Sequence, residues 1–161
     1  MHKFVFTVAL GLGLMSCGKE VQVLEYQSLP KGIWAKDQAL EFQFSEMDTL
    51  LPHHIFLHVR NDASYRYSNL FLIANMTTPE GEVLTDTLEY QMALPDGTWL
   101  GKGMGSIKEN KLWYKENIVF GSSGVYTINV AQAMRKNGSV AGIEQLQGIT
   151  DVGIEIGKTN E

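Results

Sequence analysis

A side-chain alternation of period two, recurring from Leu40 almost to the end of the chain, most limits what this sequence can become. Leu40, Phe42 and Phe44 alternate with Glu41, Gln43 and Ser45; Asp86, Leu88, Tyr90, Met92 and Leu94 alternate with Thr87, Glu89, Gln91 and Ala93. Tyr126, Ile128 and Val130 alternate with Thr127 and Asn129, and Val152, Ile154 and Ile156 with Gly153 and Glu155. Successive side chains of a strand point to opposite faces, so each run reads as a strand with one face turned to a core. His54 to Arg60, Leu70 to Met76 and Leu112 to Phe120 are further strand candidates. Pro79-Glu80-Gly81 and Pro95-Asp96-Gly97 supply turns, because Pro presets φ and Gly accepts a positive one. No long amphipathic helical stretch competes. Ala131 to Arg135, closed by Asn137-Gly138, is the best helical segment and is worth one or two turns. About seven or eight short strands separated by turns predict an all-β fold, an antiparallel β-sandwich of jelly-roll-like arrangement.

The N-terminus is of another kind. Met1 to Ser16 has a short basic start, an apolar run from Phe4 to Met15 and then Ser16-Cys17. The run is shorter than the roughly 20 apolar residues that span a bilayer, and it fits a cleaved signal peptide. Leu14-Met15-Ser16-Cys17 resembles the bacterial lipobox, and Cys17 is the one cysteine of the chain. That places the acyl chains, palmitate among them, on Cys17, and two or more acyl chains give stable anchoring. The domain reading is a signal peptide over 1–16, a lipidated N-terminus and tether over 17–36, and a β-sandwich over 37–161. Val21, Val23, Leu24, Ile33 and Trp34 could also make the end of that tether a docked edge strand.

Composition narrows the function. Among 161 residues, 13 Lys and Arg stand against 18 Asp and Glu, a formal charge of −5 without concentrated basic clusters, so there is no electrostatic footprint for nucleic acid. A single cysteine excludes an internal disulfide and cysteine-rich zinc sites. His54 and His58 share a strand face but stand about 13 Å apart, too far for one ion, and His53 points the other way; no metal is expected. Gly101, Gly103 and Gly105 lead into another β-like segment and not into a helix, so they read as close backbone approach and not as a phosphate loop. There is no GxSxG elbow, and no cofactor, small-molecule substrate or enzyme activity is expected.

Recognition signals are denser between Arg60 and Leu70. Arg60, Tyr65 and Tyr67 are candidates for a partner-binding connection; the structural alternative has Arg60 or Arg66 paired with Asp62 or Asp86 and the tyrosine rings packed on the sandwich end with their hydroxyls exposed. The strand that follows is apolar on both sides, so Phe71 and Ile73 need a cover: a loop, the N-terminal segment with Trp34, or a partner. Trp34, Trp99 and Trp113 would form the platform of a different kind of protein, a periplasmic glycan-binding module. A hydrolase would need convergent carboxylates or a Ser-His pair. Asp48-Thr49-Leu50 and Asp86-Thr87-Leu88 resemble a short O-glycosylation acceptor of exported bacterial proteins, which makes Thr49 and Thr87 candidate sites.

These residues together resemble the GldH-type gliding-motility lipoproteins. The resemblance rests on Cys17, on Arg60-Asn61 followed by Tyr65-x-Tyr67-x-Asn69-Leu70, and on Thr85-Asp86-Thr87-Leu88. It continues through Gly97-x-Trp99-x-Gly101-x-Gly103, Gly124-x-Tyr126, Gln132-Ala133-Met134-Arg135 and Gly148-Ile149-x-Asp151-Val152-Gly153. Ala141 to Gln147 is longer than the connection the resemblance leads one to expect. It implies a protein required for gliding, anchored in the outer membrane by its acyl chains and facing the periplasm. It further implies a non-catalytic assembly component of the gliding and type IX secretion apparatus, whose partners are other gliding-machinery envelope proteins. The resemblance carries no catalytic residues, and only Cys17 is transferred as a functional position.

Overall fold

The computed structural model describes residues 21–159; the signal-peptide segment and Cys17 lie outside them. Ten strands follow in order: β1 (Val21–Ser28), β2 (Ile33–Ala35), β3 (Leu40–Phe44), β4 (His53–Asn61), β5 (Asn69–Thr77), β6 (Val83–Gln91), β7 (Lys108–Ile118), β8 (Tyr126–Gln132), β9 (Gln145–Gln147) and β10 (Ile149–Lys158). Every pairing is antiparallel, and the pairs are nested: β1 with β10, β2 with β9, β3 with β8, β4 with β7, and β5 with β6. The chain is therefore one long hairpin, folded over by the further pairings of β10 with β4 and of β5 with β8. Two four-stranded sheets result, ordered β1-β10-β4-β7 and β3-β8-β5-β6, with β2-β9 as a small third ladder. This is the jelly-roll sandwich that the alternation predicts, with the three-residue β2 and β9 added.

The inner faces follow the sequence pattern. Leu57 and Val59 of β4, Leu72 and Ala74 of β5, Ile128 and Val130 of β8, and Ile154 and Ile156 of β10 are fully buried between the sheets. Each of the Leu, Ile and Val side chains contributes about 1.5–3 kcal/mol on leaving water. The turn at Pro79-Glu80-Gly81 closes the β5–β6 hairpin, with Thr78 N donating to Glu82 O and Gly81 N to Thr78 O. At the second turn Leu94 N donates to Thr98 O and Gly97 N to Leu94 O.

One expectation needs correction. Ala131 to Arg135 is not helical: Ala131 and Gln132 end β8, and the next residues continue as an arm. Gln132 holds that arm, its Oε1 accepting from Met134 N and its Nε2 donating to Ile143 O, while the Met134 side chain is buried. Helix propensity has lost to these side-chain bonds. Within residues 21–36 the docked reading of Val21, Val23, Leu24, Ile33 and Trp34 holds, and the sandwich begins before residue 37. Val21–Ser28 is an edge strand of the first sheet, and Trp34 on β2 is buried with its Nε1 donating to Gln38 O. The β2 strand pairs with Gln145–Gln147, so the long stretch at Ala141 to Gln147 has a structural use.

All strands run along one axis, giving the sandwich two ends. At the first lie the start of β1, the end of β10, and the connections 45–52, 78–82 and 119–125. The two sheets are locked there by Phe120, whose ring meets Phe44, His53 and Tyr126. His53 is buried, and burial lowers its pKa by penalising the charged ring. At the second end lie β2-β9, the connection 62–68, the long connection 92–107 and the arm 133–144.

Gly148 shows how closely the second end is packed. Its φ is +90°, and a Cβ there would stand 2.1 Å from the backbone nitrogen of Tyr65. Gly148→Ala should lower stability by about 3 kcal/mol or more, because it adds a backbone clash to an unfavourable φ. At Gly138 φ is also positive but a Cβ would meet nothing within 4 Å. Gly138→Ala should cost only about 1 kcal/mol, and urea unfolding of the two variants measures the difference.

Candidate partner-binding surface

The connection 62–68 is built by Asp62 and Tyr65. The Asp62 carboxylate accepts from Ser64 N at 2.8 Å and from Ser64 Oγ at 2.5 Å, closing a tight turn. Tyr65 turns inward, is buried, and donates its hydroxyl to Asn69 O at 2.6 Å. Its ring meets Tyr67 edge-on at 5.6 Å and Trp99 at 6.1 Å. With Tyr65 locked, Arg66 is left exposed and Tyr67 half-buried. On one side of this ridge a cleft of about 470 Å³ runs to Lys136, Ile143 and Glu144 of the arm. On the other side a cleft of about 330 Å³ is lined by Leu94, Pro95 and Trp99. Two open clefts flanking a Tyr-Arg ridge supply the mixed apolar and charged contact area that protein partners use.

Arg60 belongs elsewhere. It lies on the outer face of the β1-β10-β4-β7 sheet, in a network of six side chains. His58 Nδ1 stands 3.1 Å from Glu109 and Nε2 2.8 Å from Glu155, so the doubly protonated ring alone can donate to both carboxylates. Lys111 donates to Glu155 at 2.6 Å, Arg60 stands 3.5 Å from Glu109 and 4.3 Å above the Tyr26 ring, and the Tyr26 hydroxyl donates to Glu109. The Tyr26 hydrogen bond is the main reason the Glu109 carboxyl is held below its ordinary pKa, with His58 and Arg60 adding to it against burial. At Glu155 burial pulls upward, but Lys111 and His58 outweigh it and its pKa is also lowered. The Tyr26 hydroxyl is pushed up, by burial first and then by Glu109. Sequence reading found no carboxylate for His58, because Glu109 and Glu155 come from strands 51 and 97 positions away.

The family model for the GldH lipoprotein matches residues 22–156. The chain is 48% identical over 157 residues to the gliding motility lipoprotein GldH homolog of Christiangramia forsetii, covering 98% of this chain and 94% of that one. It is 43% identical over 143 residues to the gliding motility lipoprotein GldH of Flavobacterium johnsoniae, covering 89% of this chain and 88% of that one. This chain belongs to the GldH family of gliding-motility lipoproteins. Among solved structures, the infectious bursal disease virus VP2 subviral particle matches at 12% identity and a TM-score of 0.40, covering 93% of this chain but 37% of the viral one. That likeness is too slight to carry an argument.

The residues on which the GldH resemblance rests mostly hold the fold. Tyr65 and Gly148 pack backbone against backbone, Trp99 lies half-buried by Tyr65, and a Cβ on Gly101 would strike the Asn110 side chain at 2.7 Å. The Tyr126 hydroxyl accepts from Ser122 N and donates to Ser122 O, and Asp151 accepts from Ser28. Of the candidate contact residues, Tyr65 is therefore structural, Arg60 sits on the outer sheet face, and Tyr67 lies on the ridge. Phe71 packs against the edge of the core and Ile73 remains 37% exposed, on the outer face of the other sheet. Trp34 is buried; with Trp99 half-buried and Trp113 52% exposed, the three tryptophans form no platform. Asp62 is occupied by Ser64, while Asp86 pairs with Lys115 at 2.8 Å. Thr87 is exposed on β6, and Thr49 is half-buried in the connection 45–52. Among the described residues no group of three His, Cys, Asp or Glu could hold a metal ion.

The network on the sheet face gives a pH signature. Carboxyls whose pKa is lower folded than unfolded add stability that is fully present above the unfolded value of about 4.5 and lost as pH falls below it. Glu155→Gln should lower the thermal midpoint at pH 7 by about 4 °C, since His58 and Lys111 lose their shared partner while Lys111 stays partly in water. The variant should also lose less of its midpoint between pH 5 and pH 3 than the parent does, as calorimetry at several pH values would record.

Proposed function

We propose that this GldH-family protein is a lipid-anchored, non-catalytic assembly component of the gliding and type IX secretion apparatus. In this reading Cys17 carries the acyl chains, the domain faces the periplasm from the outer membrane, and the ridge of Arg66 and Tyr67 receives another envelope protein of the machinery. The family membership supports the motility role. The observation that carries the assembly role is the separation of the two ends. The described chain starts at Val21, opposite Gly157 at the end of β10, whereas the ridge and its clefts lie past the start of β10. Ten residues of β10 at about 3.3 Å each hold the ridge roughly 30 Å from the anchored end. That is the layout of a post that presents a surface, and the carboxylates Glu109 and Glu155 are engaged with His58, Lys111 and Arg60, Glu109 lining a cleft of about 730 Å³ with His58 and Lys111 while Glu155 lines a separate one. Of the two Asp-Thr-Leu tripeptides, Thr87 is the more accessible acceptor for a sugar.

Two variants test the reading in the gliding host. Cys17→Ala should move the protein from the membrane to the soluble fraction and abolish spreading on agar. Arg66→Glu combined with Lys136→Glu should leave the amount and membrane fractionation of the protein unchanged, since both residues are exposed, while spreading falls at least tenfold. Normal spreading by the double variant would remove the ridge from the proposal.

A further inference from the structure

The end of the sandwich opposite the ridge exposes apolar side chains from four separate segments. Val21 begins β1, Leu50 and Leu51 lie in the connection 45–52, Val83 begins β6, and Val119 and Val125 lie in the connection 119–125. Leu50 is 85% exposed and the other five are 44–56% exposed. These loops are not loosely attached. Met47 and Phe120 of the same two connections are buried, and Phe120 packs on Phe44, His53 and Tyr126. The Asp48 carboxylate accepts from Leu50 N at 2.9 Å and Leu51 N at 3.3 Å, which satisfies those two backbone donors at the tip while the Leu50 and Leu51 side chains stay exposed. Asp48 in turn stands 3.7 Å from Lys158.

The far end also exposes apolar side chains, Met104 and Val140 among them, so exposure by itself does not say which end meets what. The start of the chain does. Cys17 precedes Val21 by four residues, a reach of at most about 14 Å when fully extended. With acyl chains on Cys17, the end that carries Val21 has no room to stand clear of the bilayer.

We infer that this end of the sandwich rests on the lipid surface, with Leu50, Leu51, Val119 and Val125 set into the boundary between headgroups and acyl chains. The inference rests on the reading of Cys17 as the lipidated residue. Apolar side chains with a satisfied backbone are what that boundary accepts, and a handful of them orient a domain that the acyl chains already hold. Glu46, Glu80 and Glu82 are exposed at the same end, so attraction to anionic lipid is not the driving force. The contact is apolar and suits a neutral, zwitterionic headgroup layer. The ridge of Arg66 and Tyr67 then points away from the membrane, with a fixed orientation that a flexible leash would not give.

The test uses the full lipidated protein in phosphatidylcholine vesicles. Leu50→Cys, Val125→Cys and Val140→Cys each place an environment-sensitive fluorophore on a single free thiol, and doxyl-labelled phosphatidylcholine serves as the quencher. Labels at 50 and 125 should shift to shorter wavelength and lose at least half their emission to a quencher near the headgroups, while the label at 140 is unaffected. If the protein floats with the vesicles but labels at 50 and 125 behave like the label at 140, the orientation is wrong although the anchor stands. If the protein does not float and intact mass shows no acyl group on Cys17, the anchor reading fails and this inference falls with it.

Discussion

The last strand carries the rest of the architecture. β10 lies between β1 and β4 and pairs with both along most of its length. Its inner residues Val152, Ile154 and Ile156 are fully buried, and its outer face is kept low by Gly153. A Cβ on Gly153 would stand 2.6 Å from Glu25 O and 2.8 Å from the Tyr26 ring, so the glycine lets β1 close over the strand and brings Tyr26 within reach of Glu109. Glu155, two residues on, supplies the buried carboxylate shared by His58 and Lys111. One strand thus joins the core, the edge strand and the charged network.

Some of this was legible in the sequence because it is local. Strict alternation marks β3 and β8, where alternate residues are buried, and the Pro-Glu-Gly turn marks the β5–β6 hairpin. The strand apolar on both faces reads correctly on its inner side, with Leu70, Leu72, Ala74 and Met76 buried. What was illegible is non-local. β2 and β9 are three residues each and exist through one another, across more than 100 positions. The arm after β8 reads as helical from composition and is held extended by Gln132. The sequence leaves Tyr65 open between recognition and ring packing, because nothing in it shows that Gly148 opens space for the Tyr65 backbone.

The same distinction runs through the candidate surface. Arg60, Tyr65 and Tyr67 sit close together in sequence, yet alternation and a tight turn send them to an outer sheet face, the core and a ridge respectively. Nearness along the chain grouped them; the pleat and the Asp62 turn separated them. Lys136 and Glu144, which complete the cleft beside Tyr67, carry no motif and are brought there by the arm.

The nested pairing also dictates an order of assembly. β1 leaves the ribosome first and has a single sheet neighbour, β10, which leaves last. Only the innermost pair, β5 with β6, can form as soon as its two strands exist, because a five-residue connection joins them. Each outer pair must wait for a longer loop to close, which is the topology of slow-folding all-β chains. In the finished sandwich β1 keeps one edge unpaired with Leu24 exposed, and until β10 is made its other edge has no partner either. A newly made chain therefore depends on being kept from its neighbours until the ten residues of β10 arrive.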